Sequence, residues 1–465
     1  MDMKRLVFAA IALIIVAAAT VFFSWDILGA LIPPNDMTHI KKLARELSET
    51  KDRLPAPDAQ TASPKLMVII VDALSYNILE LGFKNGLLSN FKRLFASYCA
   101  GALLPSMPMR TPRLLTSMAT GVPADMHGIL DFVADGKKPV TGAERRFHAF
   151  WRVASERGLK VAVVGWPFTW PAERVNGYFF AAPGLQSLNL KIYECCYESN
   201  PDGLIYQPAT DEMRNIVAAA LKEAESFGTT DILRPRIRSA ALFWPLRLNP
   251  FFSLKRDFRT NKLAESLRRD KFFFGVAKRI LARDDDIDIF ALYIESTDVV
   301  GHMFFHDPRN LLGVYSWVDS ELGELLKLAK GQPLLFISGD HGMRPAPRNL
   351  KQGYEEIIKG LDWPQAGVHD PIGALLIAAP RCARTHEFVS VRAEEVAPWV
   401  LSVFGIPPSR EMQDLSLAEW YLGEKPPAGN YSTRRTPVGI SPLDIMRNPR
   451  ITDEYEDQLR ALGYL

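Results

Sequence analysis

Leu66 to Val71 is six apolar residues in a row, closed by Asp72. A run so short and so uniformly apolar suits a strand buried on both faces, as in a parallel sheet. Comparable runs recur at Lys160–Val164, Ile287–Ile294, Pro333–Ile337 and Ile372–Ala378. Between them lie helical patterns, at Phe91–Ser97, Glu144–Arg157, Arg309–Leu328 and Ala393–Phe404. Strands alternating with helices predict an α/β fold, a sheet with helices on both faces. A chain of 465 residues, 48% of them hydrophobic, is long enough to bury such a core.

The flanks carry a different signal. Lys4 and Arg5 precede an uncharged, mainly apolar run from Leu6 to Trp25. About 20 residues at roughly 1.5 Å each match the hydrocarbon thickness of a bilayer. Residues 1–25 therefore read as a signal anchor with its N-terminus in the cytoplasm and the body outside it. The competing reading is a signal peptide, cleaved near Ala17, Ala18 and Ala19. Residues 26–64 read as a tether, with a short amphipathic helix at Ile40–Leu47 and a proline-rich stretch from Leu54 to Pro64. The core is expected at 65–176 and 284–410, and an inserted cap at 177–283. The cap shows one helix, near Thr210–Ser226, and a basic and aromatic cluster that includes Arg234, Arg236, Trp244, Arg247 and Arg259. That cluster reads as a solvated cap surface, or as a surface for membrane or anionic substrate. Residues 411–465 form a C-terminal extension. A net charge of +2 gives no electrostatic case for nucleic acid. Cys99, Cys195, Cys196 and Cys382 show no metal or disulfide spacing, and they read as thiols, with a single bridge as the alternative.

Acidic and histidine residues collect at the strand ends. Asp72 closes the first run. Asp298 and His302 follow the third, Asp340 and His341 follow the fourth, and His369 precedes the fifth. Each alone reads as a helix cap or a turn. In open α/β sheets, however, ligands bind beyond the carboxyl ends of the strands. Three carboxylates and three imidazoles meeting there suit two divalent metals. Asp298 and His302, four apart, share one face of a helical turn. Thr111, followed by Pro112, reads as the start of a helix. Its hydroxyl is either a cap or a nucleophile at a helix end that attracts anions.

The set Asp72, Thr111, Asp298-x3-His302, Asp340-His341 and His369 resembles the signature of the alkaline phosphatase superfamily. Within it, the set is most similar to the type I phosphodiesterase and nucleotide pyrophosphatase branch. The resemblance covers roughly Lys65 to Pro407 and keeps the motif order. Gly165-Trp-Pro-Phe-Thr-Trp-Pro171 and the ending Leu-Arg-Ala-Leu-Gly-Tyr-Leu are also similar to bacterial members of this branch. The resemblance implies an alkaline phosphatase-like sheet and two divalent ions, zinc by likeness, with manganese as the alternative. It places Asp298, His302 and His369 around one ion. It places Asp72, Asp340, His341 and Thr111 around the other. Thr111 is then the nucleophile of a phosphoric ester hydrolase working through a phospho-threonine intermediate. The nucleotide pyrophosphatases carry an asparagine after His-Gly-Ile, where this chain has Leu130, Asp131 and Phe132 after His127-Gly-Ile. Arg110 or Arg113 is the candidate replacement contact. Rival readings are a phosphotransferase to a lipid or glycan alcohol, a sulfatase, and a non-enzymatic envelope protein. A threonine cannot be oxidised to the formylglycine that sulfatases use. Oligomeric state is not encoded in any feature of the chain.

Overall fold

The computed structural model describes residues 32–437, except 34, 51–52, 135–137, 183–204, 230–231, 233–255, 306 and 347–365. Its centre is β1 (Leu66–Val71), with all six residues buried. On one side β1 pairs in parallel with β8 (Ile289–Ile294), and on the other with β9 (Leu334–Ser338). Burial on both faces accounts for the uniform apolar composition, since each such side chain contributes about 1.5–3 kcal/mol.

The full sheet has nine strands in the order β13-β2-β12-β9-β1-β8-β5-β6-β7. The others in it are β2 (Cys99–Leu104), β5 (Val161–Val164), β6 (Gly177–Phe180), β7 (Tyr206–Gln207), β12 (Gly373–Ala378) and β13 (Val389–Arg392). Only β7 and β12 run against the rest. Two small hairpins, β3–β4 (Val133–Ala134 with Lys138–Pro139) and β10–β11 (Gly342–Pro345 with Gly367–Asp370), lie outside this sheet. The helices used below are α1 (Met37–Ser48), α2 (Ser89–Ser97), α3 (Thr111–Thr120), α4 (Phe150–Glu156), α5 (Asp211–Glu225), α6 (Arg256–Arg283), α7 (Ser296–Phe304), α8 (Pro308–Leu328), α9 (Cys382–Thr385) and α10 (Val396–Val403).

All five expected strands are present, each within two residues of its expected ends. The helix expected from Glu144 starts only at Phe150, because Phe147 and His148 pair with Arg434 and Thr433 instead. The expected cap boundary also differs. Its first residues form β6, which pairs with β5 in the main sheet, and its last form α6, whose Phe272, Phe273 and Phe274 are buried. Gly177 thus belongs to the sheet, and Arg283 closes a helix whose aromatic residues are buried. The basic and aromatic cluster lies outside the described residues or has no described side chains. Residues 26–64 were expected to be a tether, yet α1 buries Ile40, Leu43 and Leu47 against the core. The apolar run 6–25 lies outside the described residues, and no described helix is long and apolar enough to cross a membrane.

Cys99 and Cys382 form a disulfide, which corrects the reading of these two as thiols. Their Cα atoms are 4.9 Å apart across 283 residues of sequence. No spacing rule reveals such a pair. Cys99 opens β2 opposite Ile377 of β12, and the chain leaving β12 turns into α9 beside it. Closing so long a loop constrains the unfolded chain strongly. Replacing Cys99 and Cys382 by alanine is expected to cost about 2–5 kcal/mol of unfolding free energy, read from urea titration.

Candidate active site

Strands β9, β1 and β8 are adjacent and parallel, so their carboxyl ends share one edge. Asp72 follows β1, α7 with Asp298 and His302 follows β8, and Asp340 and His341 follow β9. Because β12 runs the other way, its amino end lies at this edge too, and β11 delivers His369 just before it. β2 ends on the same side and leads to Thr111. The topology therefore brings the strand-end residues to one place.

All three histidines are oriented alike. Nδ1 of His302 donates to the Gly367 carbonyl (3.1 Å), that of His341 to Gly342 (3.0 Å) and that of His369 to Met109 (3.0 Å). With Nδ1 spent on carbonyls, each Nε2 lone pair faces inward. His302 Nε2 is 3.3 Å from Asp298 Oδ1 and 2.9 Å from His369 Nε2, and His369 Nε2 is 3.7 Å from Asp298 Oδ1. His341 Nε2 is 3.4 Å from Asp72 Oδ1 and 3.6 Å from Asp340 Oδ2. Two imidazole lone pairs at 2.9 Å repel unless a proton or a cation lies between them.

The carboxylates tell the same story. Asp72, Asp298 and Asp340 are fully buried. Asp72 Oδ1, both Asp298 oxygens, Asp340 Oδ2 and His341 Nε2 have no hydrogen-bond partner among the described residues. Burial, and then the charges of Asp340 and Asp298, push the Asp72 carboxyl well above the usual range. Burial also pushes Asp298 upward, but His302, His369 and His341 outweigh it and hold Asp298 below the usual range. Burial pushes His369 well down, with His341 and His302 adding to the effect. Unsatisfied acceptors in a buried site are costly, and such a donor set fits divalent cations. Within 4.8 Å of one another lie one group of Asp298, His302 and His369, and a second of Asp72, Asp298 and His341. The first is the expected set. The second differs, with Asp298 in the place given to Asp340, whose Oδ1 is engaged by the Ala73 N–H at 3.4 Å.

Thr111 is the first residue of α3, with Arg110 extended before it and Pro112 after it. Its hydroxyl makes no cap. Oγ1 is buried and has no hydrogen-bond partner among the described residues. The bond from His369 to the carbonyl of Met109, two residues earlier, ties this turn to the histidines. Arg110 pairs with Asp131 at 2.7 Å, so the Asp131 loop is held against the Thr111 turn. Arg113, two residues past Thr111, lies about 200° around the helix from it. His127 is buried, accepts from Ile129 N–H and meets Ser117 Oγ at 3.1 Å, a packing role. Burial, and then the Arg145, Arg113 and Arg146 charges, hold its pKa down to about 3.

Sequence reasoning missed the supports. Tyr293 on β8 donates to Asp72 Oδ2, which leaves Oδ1 as the free oxygen. Asp270 on α6 accepts from Glu295 N–H (3.0 Å) and Ser296 N–H (2.7 Å), and so anchors the start of α7. A Cβ on Gly367 would lie 2.6 Å from the Gly301 carbonyl, so the β11 hairpin reaches His302 only with glycine there. A phenol inside an otherwise apolar strand was the available signal for Tyr293, because a buried hydroxyl needs a partner.

The sequence model of the family described as type I phosphodiesterase / nucleotide pyrophosphatase matches residues 66–396. The chain belongs to this family. Its members' named activities are those of phosphoric ester hydrolases. Among solved structures, the chain is similar to phosphonoacetate hydrolase from Sinorhizobium meliloti 1021 in complex with phosphonoformate. Identity there is 18% and the TM-score 0.38, over 64% of this chain and 63% of that one. It is also similar to murine ectonucleotide pyrophosphatase / phosphodiesterase 5 in complex with AMP, at 12% identity and TM-score 0.44, over 77% of this chain and 98% of that one. TAB5 alkaline phosphatase with Mg bound matches at 14% identity and TM-score 0.36, over 74% of this chain and 99% of that one. A comparison with curated proteins finds no match.

Two outcomes follow for metal uptake. Burial lowers the His302 pKa, but Asp298 outweighs it and raises the group above its ordinary 6.5. Proton and metal therefore compete at this Nε2. Divalent-metal affinity should strengthen as pH rises above that value, weaken as pH falls, and be accompanied by proton release, as calorimetry in buffers of differing ionisation enthalpy would show. Tyr293→Phe should weaken retention of a divalent metal by about 10–100-fold in a chelator competition.

Proposed function

We propose that this chain is a two-metal phosphoric ester hydrolase with Thr111 as its nucleophile. The observation that carries this reading is a buried threonine hydroxyl with no described hydrogen-bond partner, at a helix N-terminus tied to an inward-facing histidine and aspartate set. Asp298, His302 and His369 would hold one divalent ion, and Asp72, Asp340 and His341 the other. Mixed nitrogen and oxygen ligands favour zinc, and the carboxylate share admits manganese. When bound, the two ions supply Lewis acidity that eases deprotonation of the hydroxyl and offsets charge on the phosphoryl oxygens.

The Thr111 oxygen attacks phosphorus while the α3 N-terminus favours the anionic group. One ester bond breaks, an alcohol leaves, and a phospho-threonine forms. Water then cleaves that ester and restores the hydroxyl. The sulfatase reading falls away, because threonine does not give formylglycine.

The apolar run from Leu6 to Trp25 behind Lys4 and Arg5 supports a membrane anchor with the body on the non-cytoplasmic side. The Cys99–Cys382 bridge supports the same placement, since such bonds persist in oxidising compartments.

The test uses the full chain in detergent, loaded with zinc or manganese. It is assayed with chromogenic phosphate monoester, phosphate diester, phosphonate monoester and sulfate ester. Thr111→Ala should lower phosphorus-ester turnover about a thousandfold or more while keeping its metal content. Turnover retained by Thr111→Ala on every substrate would exclude the covalent route.

A further inference from the structure

His341 and His369 both depend on a hairpin that the main sheet does not contain. β10 and β11 form a sheet of their own, with Gly342 opposite Asp370 and Met343 opposite His369. A two-stranded hairpin by itself is marginally stable in water, so its position comes from what is fastened to it. Asn77 Nδ2 donates to the Met343 carbonyl at 2.9 Å, and Met343 N–H donates to Ser75 Oγ at 3.2 Å. Ala366 N–H, at the start of β11, donates to the His302 carbonyl at 2.7 Å. The other end of β11, where Asp370 leads through Pro371 to Ile372 and β12, is fastened by a residue from the N-terminal part of the chain.

That residue is Asn35. Its Nδ2 donates to Asp370 Oδ1 at 2.7 Å and to the Ile372 carbonyl at 3.0 Å. Ile372 N–H donates to the same Asp370 oxygen at 3.1 Å, so one side-chain amide closes this turn. A Cβ on Gly342 would lie 3.0 Å from Asn35 Nδ2, which puts the amide against the backbone of β10 as well. Both strands carry a metal-type histidine at this point. Gly342 follows His341 and its carbonyl takes the His341 Nδ1 proton, and Asp370 follows His369. A shift of the turn therefore moves both imidazoles. Through the bond from His369 to the Met109 carbonyl it also moves the turn that holds Thr111.

Asn35 is itself held in place. Its neighbour Asp36 caps α1, with Oδ1 accepting from the N–H groups of Thr38 and His39 at 3.0 Å each. Behind that cap α1 buries Ile40, Leu43 and Leu47, and His39 Nε2 lies 2.6 Å from Glu80 Oε2. Ile32, on the other side, packs against the core. An amide restrained from both sides costs less conformational entropy to keep on its acceptors.

From these contacts we infer that Asn35 is a positioning residue for His341 and His369, and that residues 32–48 are a working part of the candidate metal site. The inference rests on the reading of the two histidines as metal ligands. In that reading they serve different ions, so a single amide bears on both.

The experiment uses the full chain in detergent, stripped of metal and titrated with cobalt(II) against a chelator. It records cobalt retention, the visible absorption of the bound ion, and the urea midpoint of the metal-free protein. Asn35→Ala should weaken cobalt retention by about tenfold and change the absorption bands, with the metal-free midpoint close to wild type. His39→Ala, which cuts the link to Glu80 and spares the Asn35 bonds, should keep the wild-type spectrum. Should Asn35→Ala not fold, Asn35→Ser reads the same retention and spectrum. Wild-type retention and spectrum in the Asn35 variant overturn the inference and leave the metal reading standing. So does an equal loss in His39→Ala, which assigns the effect to loosening of α1. A wild-type chain that binds no cobalt overturns both.

Discussion

Three aspartates buried at one edge of a sheet dominate the physics of this molecule. Asp72, Asp298 and Asp340 have no access to solvent. The ion pairs described for them run to His302, His341 and His369, groups that neutralise a carboxylate only when protonated. Removing carboxylates from water costs several kcal/mol each unless charge and hydrogen bonds compensate. The raised Asp72 and the lowered His369 are two sides of that one conflict. Divalent cations held between these carboxylates and imidazoles would resolve it, so the arrangement that burdens the metal-free protein suits it to take up metal.

The burden is spread over a supporting layer. Tyr293 engages one oxygen of Asp72, and its ring lies under the Arg269 guanidinium at 5.5 Å. Arg269 pairs with Glu295 at 3.0 Å, while its neighbour Asp270 holds the first N–H groups of α7. Glu295 is pushed up to about 7 by burial, with Arg269 pulling the other way. One turn of α6 therefore supports both the helix that carries Asp298 and the strand that positions Asp72. The stretch assigned to an inserted cap ends in the helix on which the metal-type residues depend.

Much of the core and most of the candidate site were legible from local pattern. Leu66–Val71 could hardly be anything but a buried strand, and the residues just past β1, β8 and β9 are set by where each strand ends. Less legible were β2, which is rich in small residues, and β6, β7 and β13, which are short. Cys-Ala-Gly-Ala-Leu-Leu carries little strand propensity, and its place between β12 and β13 comes from pairing alone. The packing of α1 against the core was hidden for a related reason. The amphipathic pattern of α1 was visible, but nothing local says whether its apolar face meets lipid, another chain or this core.

The sequence by itself determined the chemical inventory and its order along the chain: apolar strands, ligand-type residues at their ends, and a threonine before a proline. These are local properties, written in runs of a few residues. The tertiary structure decided which ends meet. It reversed β12 so that His369 faces Asp298, joined Cys99 to Cys382, placed Tyr293 on Asp72 and set Asn35 against Asp370. Each of those contacts links positions far apart in sequence, so its energy exists only once the sheet is assembled, and no local pattern can carry it.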